Sequence, residues 1–106
     1  MSVSCFRPDV LADRVAFVTG GSSGINKAIA RRYLEHGASV FIVARDQARL
    51  DAAIGELAAA VPEGAARVGG YSADVRDLAA VTAAAEAGAA RFGRYDMVVA
   101  GAAGNF

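Results

Sequence analysis

The sequence predicts an α/β fold built on a doubly wound parallel sheet, and three observations predict it. Four short apolar runs alternate with three longer amphipathic stretches along 106 residues. The runs are rich in Val, Ile and Phe, as suits strands buried on both faces of a parallel sheet. A glycine-rich turn stands between the first run and the first amphipathic stretch, where a strand gives way to a helix. Such alternation folds through right-handed crossovers. The expected order is βαβαβαβ, with spatial strand order 3-2-1-4.

The first run is Val15-Ala16-Phe17-Val18 and the second Ser39-Val40-Phe41-Ile42-Val43. The third, Arg67-Val68-Gly69-Gly70-Tyr71, is diluted by two glycines, and the fourth is Asp96-Met97-Val98-Val99-Ala100. Between them, helices are predicted over Gly24 to His36, Asp46 to Ala60 and Asp77 to Arg91. Ile25, Ala28, Ile29 and Tyr33 form one apolar stripe in the first of these, and Leu50, Ala53, Ile54 and Leu57 in the second. Gly37 is placed to supply a left-handed cap, Pro62 and Gly64 to stop the second helix, and Asp77 to cap the start of the Ala-rich third. No internal repeat or linker divides residues 1–106, so one domain is expected. Its fourth strand would present an uncovered apolar edge, which soluble proteins avoid. The sheet is therefore expected to continue beyond this portion.

Composition narrows the function classes. Eleven basic residues balance eleven acidic ones, and no Lys/Arg cluster offers the field that nucleic acid requires. No apolar stretch reaches the roughly 18 residues that suggest a membrane span, and the N-terminus does not read as a secretory signal. Cys5 is the sole cysteine, which fits a reducing compartment. His36, the sole histidine, is expected at a helix C-terminus and anchors no metal site.

The most informative stretch is Val18-Thr19-Gly20-Gly21-Ser22-Ser23-Gly24-Ile25-Asn26. Gly20 allows a sharp turn, and Gly24 removes a side chain where a helix start must approach a phosphate. The unpaired amides and partial positive charge of that helix end then face the anion, with Ser22 and Ser23 adding hydroxyl donors. The pattern reads Thr-Gly-x-x-x-Gly-x-Asn. It resembles the turn of the short-chain dehydrogenase/reductase family, Thr-Gly-x-x-x-Gly-x-Gly, with Asn26 in place of the last glycine. The resemblance implies a Rossmann-type fold with Gly20 to Asn26 holding a dinucleotide. At Asn26, either room is lost between helix and sheet or a local hydrogen bond forms.

Cofactor choice is read at the end of the second run, Ile42-Val43-Ala44-Arg45-Asp46. An acidic tip would accept from the ribose hydroxyls of NAD. Arg45 instead suits an adenosine 2′-phosphate, so NADP(H) is expected over NAD(H). The alternative is a solvated Arg45 paired with Asp46 or Asp51. After the third run, Asp74 and Val75 match the family's adenine-binding pair; the alternative is a helix-capping Asp74. The small residues Gly101 and Ala102 would let the backbone pass the ribose and nicotinamide. The family has Asn-Asn where this chain has Ala100-Gly101.

The ending Ala102-Ala103-Gly104-Asn105-Phe106, with Phe6-Arg7-Pro8-Asp9-Val10-Leu11 near the start, is similar to the 2,4-dienoyl-CoA reductase branch, especially the peroxisomal kind and its bacterial relatives. That likeness implies acyl-CoA contacts at Arg76 and Phe106, whose alternatives are a surface charge and a core aromatic. The family's catalytic pair is Tyr-x-x-x-Lys. Tyr33, Tyr71 and Tyr95 are followed four places on by Gly37, Val75 and Val99, and the sole Lys is Lys27. The tyrosines are read as packing residues, and no catalytic residue is expected within these 106. The expectation is a cytoplasmic, or in a eukaryote peroxisomal, NADP(H)-dependent reductase of an unsaturated acyl-CoA, homo-oligomeric, binding neither nucleic acid nor membrane. A short-chain ketoreductase acting on another carbonyl, or a non-catalytic dinucleotide-binding fragment, is the alternative.

Overall fold

The computed structural model describes residues 13–20, 24–74, 76–93 and 95–100. Four strands, β1 (Val15–Thr19), β2 (Ser39–Ala44), β3 (Val68–Ser72) and β4 (Met97–Ala100), form one parallel sheet in the order β3-β2-β1-β4. This is the predicted order and the predicted Rossmann-like portion. The helices are α1 (Gly24–Glu35), α2 (Gln47–Ala60), the short α3 (Gly64–Arg67) and α4 (Leu78–Phe92).

Strand alternation sorts the core into two layers. Ala16 and Val18 of β1, with Val40, Ile42 and Ala44 of β2 and Val68 of β3, pack against Ala30 and Leu34 of α1 and Leu50 and Leu57 of α2. The intervening Phe17, Phe41 and Val43 turn to the other face and meet Ala84 of α4. Both faces are thus covered, which is why these strands read as unbroken apolar runs. The crossovers through α1 and α2 lie on one face and the crossover through α4 on the other. The winding therefore reverses between the neighbours β1 and β4.

Gly37 and Asp77 make the helix ends predicted of them, and Asp46 and Gly93 supply two more. Gly37, at φ 104, accompanies bonds from its own amide to the Leu34 carbonyl and from the Ala38 amide to the Tyr33 carbonyl, a Schellman ending. Asp46 and Asp77 cap α2 and α4, accepting from the amides of Arg49 and Ala80. Gly93 closes α4 in the left-handed region, its amide bonded to the Ala89 carbonyl.

Three readings need correction. The face of α1 that packs on the sheet is Ala30 and Leu34 with Tyr33 beside them, whereas Ile25 and Ala28 of the expected stripe are exposed, because the helix is turned one residue further round than the stripe implied. The second helix does stop at Ala60, before Pro62, but Gly64 opens the further short helix α3, so β3 begins at Val68 rather than Arg67. Arg67 instead donates to the carbonyls of Leu34, Ala38 and Pro62, closing the C-terminal end of α1 from outside the sheet. Tyr71, expected to pack, is exposed. Tyr33 and Tyr95 do pack against the core.

Candidate functional site

In an open α/β sheet a ligand finds its crevice outside the C-terminal strand ends, where the winding reverses. Here that point lies at the ends of β1 and β4. Thr19, buried, donates its hydroxyl to the Val99 carbonyl at 3.3 Å and so joins the two strand ends. The chain leaves β1 through Gly20 at φ 70, where a β-carbon would be strained, while the Gly20 amide still reaches the Val43 carbonyl at 2.7 Å. Helix α1 then starts at Gly24, whose φ is 21; a β-carbon built there would meet nothing within 4 Å. No acidic residue stands in the first turn of α1. Positive φ, open space at the helix start and a first turn without an acidic side chain together fit a diphosphate.

Asn26 takes the second of the two courses open to it. Its carboxamide donates to the Thr19 carbonyl at 3.2 Å, tying the first turn of α1 to the end of β1. A hydrogen bond thus holds helix to sheet where the family pattern has glycine. Ile25 is exposed beside it. Gly21, Ser22, Ser23, Val75, Gly101, Ala102 and Phe106 lie outside the described residues.

The second half of the site is made by the adjacent tips of β2 and β3. The Ala73 amide donates to the Ala44 carbonyl at 3.0 Å, and the Ser72 hydroxyl donates to the Arg45 carbonyl at 3.0 Å. These bonds bring Arg45 and Asp74 side by side, with Arg45 Nη1 3.8 Å from Asp74 Oδ2. Arg45 therefore pairs with neither Asp46, which caps α2, nor Asp51, which accepts from Gln47. Asp74 does not cap α4, because Asp77 does. Asp74 is gripped instead by Arg76. The Arg76 amide and Nε donate to Oδ1 at 2.9 and 3.1 Å, and Nη2 donates to Oδ2 at 2.9 Å. This grip, with the Arg45 charge behind it, lowers the Asp74 carboxyl from its ordinary 3.8 to about 2.

Sequence reasoning passed over Thr19 and Ser72. Thr19 opens the Thr-Gly-x-x-x-Gly-x-Asn turn, and Ser72 has only its position as a signal, a hydroxyl residue that ends a strand beside another strand's exit.

A family model described as short chain dehydrogenase matches residues 14–105. The chain is 43% identical over 101 residues to the peroxisomal 2,4-dienoyl-CoA reductase of Rattus norvegicus, covering 95% of this chain and 34% of that protein. It is also 43% identical over 89 residues to D-threitol dehydrogenase of Mycolicibacterium smegmatis, covering 84% and 33% respectively. The chain thus spans about a third of the length of the curated relatives it matches. Among solved structures, L-sorbose reductase of Gluconobacter frateurii, complexed with NADPH and L-sorbose, superposes with a TM-score of 0.82 at 32% identity, over 94% of this chain and 37% of that one. With the strand order, the glycine turn at the reversal point and a family model matched over nearly all its residues, this chain belongs to the short-chain dehydrogenase family.

Proposed function

We propose that the protein is an NADP(H)-dependent oxidoreductase reducing an unsaturated acyl-CoA, with residues 1–106 as its cofactor-binding domain. The observation that carries the cofactor reading is Arg45, a guanidinium at the tip of β2, where an NAD-specific site presents a carboxylate. In this reading Gly20, Gly21, Ser22, Ser23, Gly24, Ile25 and Asn26 hold the diphosphate. Arg45 takes the adenosine 2′-phosphate, Asp74 and Val75 the adenine, and Gly101 and Ala102 the ribose and nicotinamide. The bound nicotinamide supplies the hydride. The residues of this chain bind and orient it, and the proton-handling groups are assigned to a later part of the enzyme. Arg76 and Phe106 contact the acyl-CoA, whose phosphates suit a guanidinium.

The substrate reading rests on the likeness to dienoyl-CoA reductase. A small sugar-like carbonyl is the second reading, favoured by the likeness to D-threitol dehydrogenase and L-sorbose reductase. We further propose a homo-oligomer working in the cytoplasm or, in a eukaryote, the peroxisome. No described helix is long and apolar enough to cross a membrane.

The test is a titration of the full-length protein with NADPH and NADH, followed by turnover. Arg45→Ala is expected to weaken NADPH roughly tenfold or more while sparing NADH, the loss of one charge-assisted contact. Equal weakening of both would remove the 2′-phosphate role. NADPH oxidation driven by a 2,4-dienoyl-CoA but not by L-sorbose would uphold the first substrate reading, and the reverse would uphold the second.

A further inference from the structure

We infer that Arg76 is a second determinant of cofactor choice, presented beside Arg45 by Asp74 to bind the adenosine 2′-phosphate. The inference rests on the NADP(H) reading above and gives Arg76 a duty besides the acyl-CoA contact.

Charge balance carries the argument. Arg45 alone makes the β2 tip only weakly attractive to a phosphate, because Asp74 stands 3.8 Å from it and offsets its charge. Paired one to one, the two side chains sum to zero. Arg76 changes the sign: two guanidiniums on one carboxylate leave one positive charge over. Asp46 and Asp77, the carboxylates next in sequence to Arg45 and Arg76, are turned to the N-terminal amides of α2 and α4. A 2′-phosphate brings about −1.5 to −2 charges at neutral pH, so it is drawn more strongly to this net-positive cluster than to an Arg45–Asp74 pair.

Geometry agrees. Asp74 engages two of the five donor hydrogens of the Arg76 guanidinium through Nε and Nη2, and the side chain stays 75% exposed. Arg45 is 72% exposed, and among the described residues Asp74 is its guanidinium's partner. Both therefore keep donors for an incoming anion. Asp74 fixes them on one side of the site, because Ser72 and Ala73 bind the β3 exit to the β2 exit. Asp74 is the positioning residue in this scheme, and Arg76 the one that touches the cofactor.

The experiment measures dissociation constants of NADPH and NADH for the full-length protein and for R45A, R76A, R76K and R45A/R76A, together with the KM for acyl-CoA. R76A is expected to weaken NADPH roughly five- to tenfold and NADH little. R76K should recover part of the loss, and the double variant should discriminate less than R45A. A KM rise for acyl-CoA with the NADPH/NADH ratio unchanged would confine Arg76 to the substrate and overturn the inference. Equal weakening of both cofactors by R76A, with no recovery in R76K, would reduce Arg76 to a support for Asp74 and overturn it too. If R45A abolishes the preference and R76A leaves it intact, the NADP(H) reading stands and this inference fails. If the unaltered protein shows no preference for NADPH, both fail.

Discussion

At the scale of single residues, the informative positions are those where one side chain serves two neighbours. Asp74 accepts from a backbone amide and a guanidinium within its own turn while lying within ionic range of Arg45 from another strand. Its depressed pKa has a measurable consequence. A carboxyl lowered in the folded state contributes stability above its unfolded value of 3.8, and that contribution is lost as pH falls through about 2. Carbon-detected NMR titration should find the Asp74 carboxyl ionised down to about pH 2, and Arg76→Ala should return it toward the ordinary range. An unshifted titration in the Arg76→Ala variant would mean that Arg76 is not the cause. Asn26 shows the same economy, since one carboxamide bond replaces the close packing that glycine allows and holds α1 to the end of β1. Its presence was legible in the sequence, but which of its two consequences held was not. That depended on where the Thr19 carbonyl lay.

At the scale of elements, the glycines that weaken a sequence pattern turn out to mark close approach. Gly69-Gly70 made β3 the least convincing strand. Yet a β-carbon on Gly70 would come within 2.9 Å of Leu50 and Ile54 side-chain atoms and of the Ile42 carbonyl, so α2 sits close because no side chain intervenes. On the opposite layer, Gly88 of α4 faces Tyr95, whose hydroxyl donates to the Ala85 carbonyl at 2.8 Å and whose ring meets Phe17 edge-on at 5.0 Å. A β-carbon at Gly88 would fall 1.9 Å from the Tyr95 hydroxyl and 2.8 Å from the Phe41 ring. Gly88→Ala is therefore expected to destabilise the fold by about 1–3 kcal/mol, the usual range for overpacking, despite Ala's better helix propensity. Adding Tyr95→Phe removes the nearest atom and should recover part of that loss. Urea denaturation of the two variants checks it, and a Gly88→Ala variant as stable as the parent would contradict the packing described here.

At the scale of the whole molecule, the sheet is asymmetric. The strands β1 and β2 are walled by helices on both faces, whereas β4 pairs with β1 alone and leaves Val98 68% exposed among the described residues. An apolar strand edge of this kind is a template for further pairing. A polypeptide of these 106 residues should therefore self-associate with rising concentration, and Val98→Lys should shift it toward monomer. Sedimentation velocity would decide, and a strictly monomeric parent would show that the edge is protected.

The sequence alone determined the strand order, the glycine turn at Gly20 and Gly24, and the caps at Gly37 and Asp77. These depend on local periodicity, on backbone angles that only some residues adopt and on the handedness of crossovers, all written in neighbouring residues. It also presented Arg45 as a cation at a strand tip. Only the tertiary structure decided what Arg45 meets, since Asp74 stands beside it through bonds between the exits of two different strands. In the same way it turned Arg67 from a strand residue into the group that closes the end of α1, and left Tyr71 in solvent. Long side chains reach partners many residues away, and which partner lies in reach is settled by packing rather than by spacing along the chain.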